Sequence, residues 1–183
     1  MQRVLIERAM AGFREAFTEL GCLWIDRLYA IARFILRDGE EAQDATQEAL
    51  IVAWRDLPGL RDPDRFEPWL RRLLLNACYR EARQAKRRRR VEQLMHVSNA
   101  ALPDPSAETA DRDQLARAFA DLTPEQRALI VLHYYLGLPV QETALTLGLP
   151  VGTVKSRLHR TTTQMRATLD ARARLPLLEG RAT

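Results

Sequence analysis

Cysteine is nearly absent. Cys22 and Cys78 are the only two in 183 residues, and neither sits in a Cys-x-x-Cys or Cys/His spacing. A disulfide framework and a structural zinc site are therefore not expected, and both thiols are expected to be buried among apolar neighbours. Histidine is almost as scarce. His96, His133 and His159 form no metal-ligand spacing, and no nucleophile–base pair or phosphate-cradling loop accompanies them. No catalytic residue, metal or cofactor is expected, so an enzyme acting on nucleic acid has little support. No apolar run approaches the ~18 residues of a membrane span. Arg3, Glu7 and Arg8 occupy the N-terminal stretch where a signal peptide would carry its apolar core. The expectation is a cytoplasmic protein without membrane insertion. Glycine and proline number only 8 and 9 and gather mostly in turn-like clusters. Their scarcity elsewhere favours an all-α fold.

Hydrophobic residues make up 46% of the chain, enough for packed cores. The net charge of +4 hides a segregation. Asp38, Glu40, Glu41, Asp44 and Glu48 form an acidic stretch without a base. Nine bases and one acid, Glu81, occupy Arg71 to Arg90, and Lys155, Arg157, Arg160 and Arg166 lie in an acid-free stretch from Val151 to Leu169. Two basic regions and one acidic face point to two polyanion contacts and a separate protein contact.

Phe13, Phe17, Leu20, Trp24, Leu28, Ile31 and Ile35 recur at steps of three and four, an apolar stripe at helical spacing. Gly21 interrupts it, leaving one helix or two meeting there equally open. A helix from Glu40 to about Asp56 turns Ala42, Ala45, Ala49, Val52 and Ala53 inward. Asp64, with Glu67 three residues on and Pro68 in the first turn, resembles a capping box for a third helix that runs into the arginines. Ser98, Asn99, Pro103, Asp104, Pro105 and Ser106 mark a flexible linker. The expected organisation is two small helical domains, 1–90 and 113–170, with a linker at 91–112 and a tail at 171–183.

The sharpest signal lies in Gln141–Arg160. A helix-turn-helix needs a small residue where its helices cross, supplied by Ala144, and a turn residue tolerant of positive φ four positions later, supplied by Gly148. Burying Val151, Val154 and Leu158 turns Thr153, Lys155, Ser156, Arg157 and Arg160 outward, hydrogen-bond donors suited to a major groove. The plainer reading is an αα-hairpin with a solvated basic face. Thr123-Pro124-Glu125-Gln126 caps the helix before it.

These strings carry a family resemblance. Leu122-Thr-Pro-Glu-Gln-Arg127, Leu132-His-Tyr-Tyr135 and Gly152-Thr-Val-Lys-Ser-Arg-Leu-His-Arg160 resemble region four of the extracytoplasmic-function (ECF) RNA polymerase sigma factors. The resemblance implies that Thr153, Lys155, Ser156, Arg157 and Arg160 contact the minus-thirty-five element and that this domain touches the polymerase β flap. Thr143 departs from a position usually aliphatic, and Thr161-Thr162-Thr163 from an Ala/Arg-rich stretch. Asp44-Ala-Thr-Gln-Glu-Ala-Leu50 with Ala53-Trp54-Arg55 resembles region two, which docks on the β′ clamp helices. Asp44, Gln47, Glu48, Leu50 and Trp54 are the implied core-binding residues, the alternative being that Leu50 and Trp54 are core and the acids merely solvated. Phe66-x-x-Trp69-Leu-Arg-Arg72 resembles the promoter-melting helix. It implies Asn76 at a flipped minus-ten base and Arg80, Arg83 and Lys86 at duplex or backbone, with Phe66 and Trp69 in the core. Lys86–Arg90 reads as a phosphate clamp or a solvated helix end.

The resemblance spans about residues 11–170. It implies an alternative sigma factor that binds core RNA polymerase and promoter DNA, with an anti-sigma partner on analogy alone. The competing reading is a stand-alone helix-turn-helix regulator that does not bind polymerase.

Overall fold

The computed structural model describes residues 2–94 and 110–174, all helix and connecting turns. The serine- and proline-rich linker segment, His96 and the end of the tail lie outside them.

A helix not foreseen from the stripe comes first. Helix α1 (Gln2–Met10) buries Leu5, Ile6 and Ala9 against the next helix. Gly12 (φ +90°) makes the turn that follows. That turn leaves Phe13 at the cap of α2 (Arg14–Leu36), 52% exposed under the Arg8 guanidinium, so the stripe begins one turn later than expected. Helix α2 runs unbroken through Gly21, with Leu20, Trp24, Leu28, Ile31 and Ile35 buried. A single glycine costs about 1 kcal/mol in a helix, less than the ~1.5–3 kcal/mol contributed by each fully buried aliphatic side chain flanking it. Arg37, in the left-handed region, ends α2.

Asp38 caps α3 (Gly39–Asp56) by accepting a hydrogen bond from the Glu41 N–H at 2.9 Å. Alanines on its inner face allow close packing on α2 and α4. Two 3₁₀ turns follow, Leu57–Gly59 and Pro63–Arg65. Here the expected capping box gives way: Asp62 is the cap, accepting from the Asp64 N–H, and Pro63 takes the first-turn place. The reason is the 3₁₀ turn interposed before α4 (Phe66–Leu94). Phe66 and Trp69 pack on each other, and Phe66 also on Trp24, as expected of core residues.

Helices α5 (Ala110–Ala120), α6 (Pro124–Ile130), α7 (Val140–Leu147) and α8 (Val151–Arg174) form the second unit. The capping box on α6 is present in both directions, Gln126 N–H to Thr123 Oγ1 and Thr123 N–H to Gln126 Oε1. Beyond α6 the backbone widens into a π turn, Val131–Tyr135, that Gly137 (φ +67°) closes.

The two units share one core. Ala128, Val131, Leu132 and Leu138 are buried together with residues of α2 and α4. The Phe34 ring of α2 packs against Tyr135 at a tilt of 54°, with centroids 4.7 Å apart. Arg127, 8% exposed, donates from Nε to the Ile35 carbonyl at 2.5 Å and from Nη1 to Leu122 O at 2.9 Å, so one guanidinium holds carbonyls from both units. Its burial pushes its pKa down to about 10, still well above neutral.

Candidate nucleic-acid interface

Helices α7 and α8 meet as the spacing requires. Ala144, 3% exposed, lies in a small cluster with Leu129, Val154 and Leu158. Gly148 takes the left-handed conformation (φ +65°), and the Leu149 N–H returns to Ala144 O at 3.0 Å, the six-to-one bond of a helix C-terminus closed by glycine. Val151 differs from expectation. It is 38% exposed, because as the first residue of α8 it precedes the turn that packs on α7. Thr143 is fully buried, yet its hydroxyl donates to Pro139 O at 3.0 Å, so an aliphatic position is filled without an unsatisfied polar group. Thr161 is likewise buried, and Thr162 Oγ1 bonds Leu158 O.

Lys155, Ser156, Arg157 and Arg160 are exposed along α8, with Thr153 half-buried beside them. Arg160 Nε donates to Ser156 O and Ser156 Oγ to Thr153 O. These groups lie along the outer side of one helix and can reach base edges and phosphates together. His133 Nδ1 lies 2.8 Å from Leu138 O, inside the π turn rather than in a groove, and His159 is exposed.

The acidic face of α3 stands apart. Leu50, half-buried, and Trp54, 39% exposed and 5.0 Å from the Phe17 ring, line one groove with Gln47, Ile25, Tyr29 and Ile51. Leu50 and Trp54 thus combine core contact with an open side. Asp44 is exposed at this face and does not line the groove; Glu48 instead pairs with Arg80 at 2.9 Å. The apolar residues Ile25 and Tyr29 were missed by sequence reasoning. Ile25 and Tyr29 are four apart on α2, a second stripe beside the core stripe, and that spacing was the available signal.

On α4, Arg80, Arg83 and Lys86 line a second groove with Gln84, Arg87 and Arg90. Asn76 is exposed and does not line it. The N-terminal half of α4 is partly covered by the second unit. The Arg72 guanidinium sits against Gly148, where a Cβ would meet it at 3.2 Å. Burial and the nearby Glu125 carboxylate raise the Tyr79 pKa, with Arg157 of α8 opposing. Arg71, buried and paired with Glu67, leaves its Nε without a partner. Cys78 is buried and its thiol pushed up to about 12, mainly by desolvation. Cys22, in contrast, is exposed; it lies on the outer side of α2, off the buried stripe, which corrects the expectation of two buried thiols. Among the described residues no group of three or more potential metal ligands occurs, and no helix is long and apolar enough to cross a membrane.

An all-α chain pairing a helix-turn-helix of cationic outer face with a second helical unit, itself bearing a basic groove and an acid-edged apolar one, belongs to the class of two-unit DNA-binding proteins. Comparison with known proteins narrows the class. Residues 24–88 match Sigma-70 region 2 and residues 112–165 match Sigma-70, region 4. The ECF RNA polymerase sigma factor SigM of Mycobacterium tuberculosis is 34% identical over 178 residues, covering 96% of this chain and 83% of that protein. The RNA polymerase sigma-E factor of Streptomyces avermitilis is 32% identical over 149 residues, covering 80% and 81%. Among solved structures, CnrH in complex with the cytosolic domain of CnrY aligns with a TM-score of 0.64 at 29% identity, covering 93% of this chain and 97% of that one. The sigma factor RpoE from Bartonella quintana, co-crystallised with the anti-sigma factor NepR, gives 0.66 at 23% identity over 84% and 96%, a likeness of fold. The chain belongs to the ECF RNA polymerase sigma factors. It is an alternative sigma factor for promoter-specific transcription initiation, and the stand-alone regulator is set aside.

Proposed function

We propose that residues 1–90 and 113–170 act as separate binding units, joined by 91–112 and followed by a tail at 171–183. Each unit engages core RNA polymerase and one promoter element. The groove of α3 with Leu50, Trp54 and Gln47, together with the acids Asp44 and Glu48, takes the β′ clamp helices. Apolar anchors at a charged rim suit a protein interface. Thr153, Lys155, Ser156, Arg157 and Arg160 read the minus-thirty-five element, and the unit carrying them meets the β flap. Asn76 holds a flipped minus-ten base, while Arg80, Arg83 and Lys86 meet the backbone. The chain supplies recognition and traps melted DNA, whereas the covalent chemistry is the polymerase's, in the cytoplasm. RpoE of Bartonella quintana, a chain of like fold co-crystallised with the anti-sigma factor NepR, supports a partner of that kind.

The observation that carries this reading is the presence in one chain of the solvent-facing cations of α8 and of an apolar groove between α2 and α3, lined also by Asp26. It also requires motion. Elements at minus ten and minus thirty-five lie roughly 80 Å apart at ~3.4 Å per base pair. Here the Arg72 guanidinium of α4 sits against Gly148, at the turn between α7 and α8. The shared core around Leu132 must therefore open when both elements are read.

Complexes with purified core polymerase test the assignment. Arg157→Ala and Lys155→Ala are expected to weaken promoter binding and keep core binding; Asp44→Ala and Trp54→Ala are expected to lose core binding. With about four α8 cations on phosphates, log affinity falls with log salt at a slope contribution near −3.6, about −0.9 per contact. Loss of core binding by the α8 variants but not the α3 variants would overturn the assignment.

A further inference from the structure

The five consecutive bases Lys86–Arg90 look in sequence like one clamp, but a helix of 3.6 residues per turn distributes them around its whole circumference. The structure divides them. Arg80, Arg83, Arg87 and Arg90 follow one another at steps of three, four and three, and with Lys86 they line a single groove. Arg88 and Arg89 lie on the other side, one turn beyond Ala85, the last buried residue of α4 among the described side chains. There both guanidinium groups converge on one carboxylate: Glu41 Oε1 is 3.8 Å from Arg88 and 3.4 Å from Arg89.

Glu41 is suited to be an anchor. Its side chain is only 12% exposed, whereas the two arginines are 54% and 67% exposed. Its backbone is fixed because its N–H is the one capped by Asp38 in the first turn of α3. From Lys86 through Val91 every α4 side chain is exposed, so this stretch projects past the bundle without apolar packing. Among the described residues, the pairs to Glu41 are the ion pairs that α4 makes beyond Ala85.

We propose that Glu41 is a positioning residue for DNA: by tying Arg88 and Arg89 it holds the projecting end of α4 so that Arg83, Lys86, Arg87 and Arg90 present one cationic groove to the phosphate backbone of duplex DNA. The inference rests on the sigma-factor reading and sharpens it. The arginine run has two functions, and only one of its faces meets phosphate. Arg88 and Arg89 act through Glu41, and Glu41 touches no DNA. Arg80, at the other end of the groove, is partly neutralised by Glu48, which places the strongest field at Arg83 to Arg90.

Two measurements on the full chain test this. The first is amide hydrogen exchange across residues 86–91 of the free protein. Glu41→Gln is expected to speed exchange about two- to fivefold, the range set by partly exposed ion pairs. The charge-swapped variant E41R/R88E/R89E is expected to return it towards the wild-type rate. The second is the salt dependence of duplex promoter binding by the holoenzyme. R87A/R90A is expected to shrink the slope by about 1.8, at ~0.9 per lost phosphate contact, whereas R88A/R89A leaves the slope unchanged and weakens binding about two- to fivefold. A slope that shrinks equally for R88A/R89A overturns the proposal, as does exchange unaltered in E41Q or unrestored by the swap. Failure of the wild-type holoenzyme to bind any promoter duplex would strike the sigma reading itself, and amide exchange would still decide the tether.

Discussion

Replacing Arg127 with methionine removes the guanidinium that joins the two units while keeping an apolar stem of similar length. Two short hydrogen bonds from a charged donor disappear, to Ile35 O and Leu122 O. Bonds of this kind contribute about 1.5–3 kcal/mol each, about 3–6 kcal/mol together. Against them stands the cost of burying the charge. A pKa pushed down from the ordinary arginine value to about 10 corresponds to roughly 3.5 kcal/mol at ~1.4 kcal/mol per unit. The net loss is therefore about 1 kcal/mol, left chiefly as two carbonyls without their donor. For a chain of this size that lowers Tm by about 2–4 °C. The sign with pH follows from the lowered pKa. The folded state binds this proton less tightly than the unfolded chain, so the burial cost is fully present below about pH 10 and fades only as pH rises towards the ordinary arginine pKa. The deficit of R127M is thus constant around neutral pH. Thermal and urea unfolding measure it, with Arg127→Lys, which keeps the charge but not the forked geometry, expected between the two. An R127M protein as stable as wild type would refute the reasoning.

Three further outcomes follow from named contacts. Native protein should label one thiol rapidly, Cys22, with Cys78 reacting only on unfolding; two equal fast equivalents would contradict the burial of Cys78. Ala144→Leu should destabilise the α7–α8 crossing by about 1–3 kcal/mol through overpacking and abolish minus-thirty-five-dependent transcription without loss of core binding, as run-off assays and pull-downs would show. Leu50→Ala should weaken core binding by about 1–2 kcal/mol, five- to thirtyfold, in a titration with fluorescent core, since it removes an apolar anchor that is half-buried already.

Much of the helix-turn-helix was legible because local chemistry alone dictates it: a small residue at a crossing, a glycine at positive φ, a hydroxyl cap with Pro behind it. Ala144, Gly148 and Thr123 each sit as their residue types require. Readings that depended on what a surface packs against fared differently. Periodicity identified the α2 stripe but placed Phe13 in it, because nothing local announces the turn that Gly12 makes after α1. Cys22 has apolar neighbours in sequence and solvent in space. The widening at Val131–Tyr135 breaks the 3.6-residue period and has no sequence marker beyond Gly137. The joint burial of Ala128, Val131, Leu132 and Leu138 against α2 and α4 is a long-range contact, and a pattern of single-helix faces does not specify its partner. The basic run read as one cluster for a related reason: helical spacing splits it into two faces, but the partner of one face, Glu41, lies more than forty residues earlier.

The most direct measurement is to map transcript 5′ ends made by purified core RNA polymerase on genomic DNA with and without this protein. The account predicts a set of new start sites that share two sequence elements upstream and that vanish with Arg157→Ala or Trp54→Ala. No new start sites, with the protein instead binding duplex DNA tightly in the absence of polymerase, would contradict it.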